Sequence, residues 1–129
     1  MWLALATAAV DALTSGQVLV VDDLTASLHS DLGRIIINWF ISSTVNQTGA
    51  QLIFTSHDIA LMDIGRGPIC NRERIWFTEK NSAQATTLYQ LSDFTGLQSG
   101  SNITKNYLEG RFGATPYTCP SLIHHLLDD

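Results

Sequence analysis

The chain has 129 residues, enough for one domain with a real core. Apolar residues make up 45% and charged residues 15%, which excludes a disordered chain. The net charge of -5 argues against a strongly basic nucleic-acid surface, though not against a local patch. Cys70 and Cys119 form no CxxC pair, so a reduced, cytoplasmic setting is the simpler expectation.

Residues 2–13 are apolar almost all round and rich in alanine, which predicts a helix buried on every side. Thr14-Ser15-Gly16 is its expected stop. No basic residue precedes this stretch and Asp11 interrupts it early, so neither a signal peptide nor a membrane anchor is expected. A core helix that begins at Met1 without a lead-in reads as the middle of a domain.

Val18-Leu19-Val20-Val21 then ends in Asp22-Asp23. An unbroken run of this kind suits a parallel strand over residues 18–22, covered on both faces. Ligands of open α/β sheets collect at the carboxyl ends of such strands. An acid there is placed to hold Mg²⁺, a hard cation that prefers oxygen and keeps part of its water shell. Ser30-Asp31 offers an N-cap, and Leu32, Ile35, Ile36, Trp39 and Phe40 recur at helical spacing to about Ser42. Asn46-Gln47-Thr48-Gly49 is a loop. Residues 51–55 form a second buried strand, which runs into Ser56-His57-Asp58. Strand, helix and parallel strand make a right-handed crossover, which puts Asp22 and His57 on the same edge of one sheet.

Residues 59–63 predict a short helix broken by Gly65-Arg66-Gly67-Pro68. Residues 74–79 and 86–91 predict a hairpin around Lys80-Asn81-Ser82. Residues 102–110 predict a helix capped by Asn102 and stopped by Gly110, and residues 121–127 a last short helix. Trp39-Phe40 and Trp76-Phe77 are expected in the core, and Arg72 and Arg74 on a solvated strand edge. His124-His125 point different ways on a helix, so a solvated tail is expected there rather than a metal site. Lys105 and Arg111 are weak evidence for nucleic acid in an acidic chain.

Several segments line up in order with one family. They are residues 2–6, 18–23, Ser27-Leu28-His29, 49–58, 75–80, 89–94 and Tyr107-Leu108-Glu109-Gly110-Arg111-Phe112-Gly113-Ala114. Together they resemble the C-terminal half of the bacterial AAA/ABC-like ATPases related to the RecF, SMC and overcoming-lysogenization-defect proteins. The resemblance implies a partial P-loop NTPase of the α/β class. That is a three-layer sandwich with a mainly parallel sheet and a C-terminal β-hairpin, one domain over residues 1–129 with a loosely packed tail at 117–129. It implies binding and hydrolysis of ATP with Mg²⁺. Asp22 would be the metal ligand, Asp23 would stand where the family's water-activating Glu stands, and His57 would reach the γ-phosphate. Residues 26–29 would be the loop that faces a partner across a nucleotide sandwich, which puts Ser27 and His29 among the cofactor-binding residues.

Two departures qualify these expectations. No GxxxxGK[ST] loop and no serine-rich signature motif occurs in the sequence. The expected partner is therefore a missing N-terminal ATPase half or a second ATPase subunit, with DNA, RNA or an effector nuclease further off, and the isolated chain is expected to bind ATP poorly. Asp23 is also one methylene shorter than Glu. On the bland readings, Asp23 is a plain loop carboxylate and His29 a helix cap. Two other accounts remain at this stage. In one, Asp22-Asp23, a strand over 58–63 with Asp63 as phosphoacceptor, and Lys105 resemble a receiver-like signalling module, though no room is left for a helix between Thr55 and Asp58 and residues 2–13 have no counterpart in it. In the other, the chain is an inactive structural remnant.

Overall fold

The computed structural model describes residues 1–62, 71–97 and 102–115. Two small sheets organise them, a parallel pair near the N-terminus and an antiparallel hairpin after it.

Helix α1 (Trp2–Ser15) ends at Gly16, whose left-handed φ of 69° closes the cap with its N–H on the Ala12 carbonyl. Strand β1 (Val18–Val21) follows, then α2 (Ser30–Ile41) and β2 (Gln51–Phe54). β1 and β2 pair in parallel, Val18 opposite Gln51 and Val21 opposite Phe54. The crossover expected from sequence is therefore present. Its return is fixed by Asn46, whose Nδ2 donates to the Phe40 and Ala50 carbonyls and whose Oδ1 accepts from the Ala50 N–H. Thr48 Oγ1 ties the same loop to the Leu13 carbonyl at 2.6 Å. Leu24, Ile37 and Leu61 form the core of this lobe, with Leu5, Val21, Leu52 and Phe54 packed around them. Trp2 and Trp39 meet at 6.4 Å between ring centroids.

A 3₁₀ turn over Ile59–Met62 leads toward the second lobe. There β3 (Trp76–Lys80) and β4 (Thr86–Gln90) pair antiparallel, with Phe77 opposite Tyr89. Asn81 Oδ1 accepts from the Ala83 and Ala85 N–H groups and shapes the turn. Helix α3 (Ile103–Leu108) starts at Asn102, whose side chain accepts from Lys105 N–H as the cap pattern predicts. Phe77, Leu91, Ile103 and Phe112 form a separate core. The Tyr89 hydroxyl donates to the Phe112 carbonyl, and Tyr107 Oη to that of Ala114.

Several expectations are corrected. Helix α1 is not buried all round: Leu3 is 78% exposed and Val10 48%, because α2 and β1 cover only one side of it. The strands are not covered on both faces either. Leu19, Val21, Leu52 and Phe54 turn inward, while Val20 and Ile53 are 70% and 56% exposed. Among the described residues the helices pack on one face of β1–β2, which gives two layers there instead of three. The hairpin strand begins at Trp76 because Arg72–Arg74 is a 3₁₀ turn, and Arg72 donates to the Leu97 carbonyl. Trp76 faces outward while Phe77 takes the core place, as the two-residue period of a strand requires. Leu91 opens a further 3₁₀ turn, Leu91–Asp93, rather than ending β4.

The expectations for Asp63, residues 65–68, Cys70, Cys119, residues 117–129 and His124-His125 lie outside the described residues. No helix among the described residues is long and apolar enough to cross a membrane.

Candidate active site

The parallel ladder continues past the formal end of both strands, and the site is built there. Thr55 N–H donates to the Val21 carbonyl at 3.1 Å, and Leu24 N–H donates to the Thr55 carbonyl at 2.9 Å. The Thr55 hydroxyl donates to Asp22 Oδ1 at 2.6 Å and accepts from the Asp23 N–H at 2.8 Å. Thr55 thus bonds to each residue from Val21 to Leu24. The two acids emerge at the carboxyl end of β1, where α/β sheets place ligands.

Asp23 has a φ of 53°, in the left-handed region. Asp and Asn are the non-glycine residues most often found there, because a short polar side chain can bond locally. This turn sends the Asp23 carboxylate toward the strand that carries His57. Asp23 Oδ1 lies 3.1 Å from His57 Nδ1. The His57 side chain is 78% exposed and that of Asp23 41%, so the pair adds little to stability and matters as geometry. The ring approaches Asp23 through Nδ1 and is otherwise largely exposed. Asp23 Oδ1 is shielded from water, yet despite the short approach no donor is aligned on it.

The segment after Asp23 packs beneath this rim. Leu24 and Thr25 are buried. The Thr25 and Ser56 hydroxyls bond at 3.1 Å, and the Asp58 N–H donates to Ser56 Oγ at 3.0 Å. The Asp58 carboxylate then accepts from Ser30 Oγ and, at 3.0 Å, from the Ala60 N–H. This chain of bonds ties the loop after β1, the start of α2 and the loop after β2 into one unit. Gly33 allows the close fit: a Cβ there would stand 2.8 Å from Thr25 Cγ2.

Ser27 and His29 sit on the exposed stretch before α2. Ser27 lines an open depression of about 230 Å³ with Met1, Leu5, Asp22, Asp23 and Leu28. His29 is the helix cap, with its Nδ1 accepting from Asp31 N–H at 3.3 Å, so of the two caps offered by the sequence, His29 and Ser30, the structure uses His29. The structure therefore brings Asp22, Asp23 and His57 together through Thr55, with Ser27 beside the acids and His29 engaged at the helix start. Sequence reasoning missed Thr55, Ser56 and Asp58 as site-building residues. The available signal was their position: polar residues directly after an apolar strand, flanking a histidine.

The donor set suits a small hard cation. Asp22 is exposed and only its Oδ1 is engaged among the described residues. No group of three or more His, Cys, Asp or Glu side chains is arranged as a metal site among them. One or two carboxylates with retained waters is the pattern of Mg²⁺ rather than of a full protein cage. Lys105 and Arg111 each lie near Glu109, at 3.9 and 3.8 Å.

Residues 2–63, just under half of the chain, match a family model described as an AAA domain, putative AbiEii toxin, type IV TA system. The match supports an AAA-type, ATPase-like relationship and, at that coarse level, nucleotide binding. It spans the acid loop, the crossover and His57. No curated protein and no solved structure matches the chain.

Proposed function

We propose that this chain supplies the metal-holding and γ-phosphate-facing rim of an ATP-hydrolysing site. Its phosphate-binding loop comes from another stretch of polypeptide, a missing N-terminal half or a second ATPase subunit. The observation that carries this reading is the meeting of two acids and an imidazole at the carboxyl rim of two parallel strands, within the stretch that matches an AAA domain.

The roles follow from the atoms. Asp22 presents a free carboxylate oxygen at the end of β1, as a ligand for Mg²⁺. Asp23 offers a partly exposed carboxylate, suited to orienting a water by its proton. His57 stands exposed beside Asp23, where a ring N–H can donate to a phosphate oxygen. Mg²⁺ and the triphosphate, when bound, supply charge neutralisation and the phosphorus that water attacks. Residues 26–29 lie beside the acids and face outward, as a partner-contacting loop requires. The receiver-like alternative needs a strand over residues 58–63, and the structure has a 3₁₀ turn at Ile59–Met62.

The test is nucleotide binding by the 129-residue chain alone and joined to the coding sequence upstream of Met1. The proposal expects weak or absent binding alone, binding and hydrolysis when joined, and loss of hydrolysis in Asp22→Asn and His57→Ala. Hydrolysis undiminished in both variants overturns it. A joined protein that binds no nucleotide supports the remnant account instead.

A further inference from the structure

The geometry points to Thr55 as a positioning residue that decides how Asp22 meets a cation, and through that which cation the rim prefers. The inference rests on the metal role proposed for Asp22 and adds a residue and a selectivity to it.

An ionised carboxylate offers two oxygens. Thr55 Oγ1 donates to one of them, Asp22 Oδ1, at 2.6 Å, a charge-assisted bond in the short range for O–H to carboxylate. The hydroxyl proton is committed to that bond because the same oxygen accepts from Asp23 N–H at 2.8 Å. A hydroxyl has one proton, so the bond from Asp23 fixes its direction. Thr55 itself cannot drift, since its N–H and C=O are both in the extended ladder. Asp22 therefore has one oxygen held and the other free.

That asymmetry bears on cation choice. Ca²⁺ takes six to eight oxygens and readily accepts both oxygens of one carboxylate. Mg²⁺ and Mn²⁺ suit a carboxylate that offers a single oxygen and keep waters elsewhere. A hydroxyl seated on Oδ1 opposes the two-oxygen mode and leaves the one-oxygen mode intact. The same hydroxyl anchors the Asp23 backbone in its left-handed turn, so the loss of one bond disturbs both acids.

The experiment reads the metal directly rather than turnover. Amide spectra of the ¹⁵N-labelled chain are titrated with Mn²⁺, then challenged with Mg²⁺ or Ca²⁺. In the unmodified protein, broadening centred on residues 22–24 and 55–57 is expected, with Mg²⁺ reversing it at lower concentration than Ca²⁺. Thr55→Val is expected to raise the Mn²⁺ midpoint by about tenfold, the scale of losing a bond that orients a ligand, and to remove the Mg²⁺ preference. Thr55→Ser is expected to restore both, and Asp22→Asn to abolish the response. A residue that served stability alone would leave the order of Mg²⁺ and Ca²⁺ unchanged. Thr55 is exposed, so the exchange opens no cavity, and Thr55→Ala replaces the valine variant if that one misfolds. Equal midpoints and the same cation order in Thr55→Val and the unmodified chain overturn the role given to Thr55 and spare the one given to Asp22. No site-selective broadening in the unmodified chain overturns both.

Discussion

Asn46 offers the sharpest test of how this site is built, because one amide fixes where β2 begins. Its Nδ2 donates to Phe40 O at 2.9 Å and Ala50 O at 2.8 Å, and its Oδ1 accepts from Ala50 N at 2.9 Å. Asn46→Ala removes all of these at once and leaves Phe40 O, Ala50 O and Ala50 N to find water beneath a loop that is otherwise exposed. At about 1 kcal/mol net per bond, with partial rehydration in return, the expected loss is about 2–3 kcal/mol. Asn46→Asp retains an acceptor for Ala50 N but turns a second oxygen on two carbonyls, so it is expected to cost at least as much. Urea unfolding followed by tryptophan fluorescence reads this directly, since Trp2 and Trp39 pack in the same lobe. With a slope of about 1–3 kcal/mol per molar, the midpoint is expected to fall by about 0.7–3 M. A shift in Asn46→Ala below about 0.5 kcal/mol, or an Asp variant milder than the Ala variant, refutes the reasoning, because surface substitutions without such a role fall in that range.

Other outcomes follow from the same structure. His29→Ala removes the α2 cap and is expected to cost about 1 kcal/mol, measured by thermal unfolding, with His29→Asn recovering most of it. Burial, then the charge of Glu79 and the neighbouring Tyr107, raise the Tyr89 phenol above its ordinary value of 10.0. The folded state therefore holds that proton more tightly than the unfolded state. The resulting stability is fully present below about pH 10 and is lost as pH rises through the raised value. Tyr89→Phe is expected to flatten that alkaline limb in a pH series of denaturant midpoints; an unchanged limb contradicts the assignment. Val20→Thr with Ile53→Thr is expected to raise the soluble fraction and reduce light scattering with stability within about 0.5 kcal/mol, since both side chains stand in water.

The parts legible in the sequence were those set by local pattern. The Val/Leu run ending in acids, a helix from Ser30 to about Ser42 and the strand leading to His57 spell a parallel crossover, and the register bears that out. Asn102 and Gly110 marked the ends of the last described helix in the same way. What failed was burial. An unbroken apolar strand has the composition of one covered on both sides, but Val20 and Ile53 stay mostly exposed among the described residues. Composition records what a strand is suited to, not what the rest of the chain provides. The bonds of Thr55 to Asp22 and Asp23, and of Ser30 to Asp58, were illegible for another reason. They join residues roughly thirty positions apart through single hydroxyls, and no periodicity encodes such pairs.

The left-handed turn at Asp23 also limits how this rim can change. An ordinary L-residue in that conformation costs roughly 1–2 kcal/mol, and aspartate is among the few side chains that soften the penalty. Glutamate would extend the reach of the acid but would sit badly on this backbone, so acid length and loop shape are coupled. A lineage that lengthened the side chain would first have to reshape the bend beneath it.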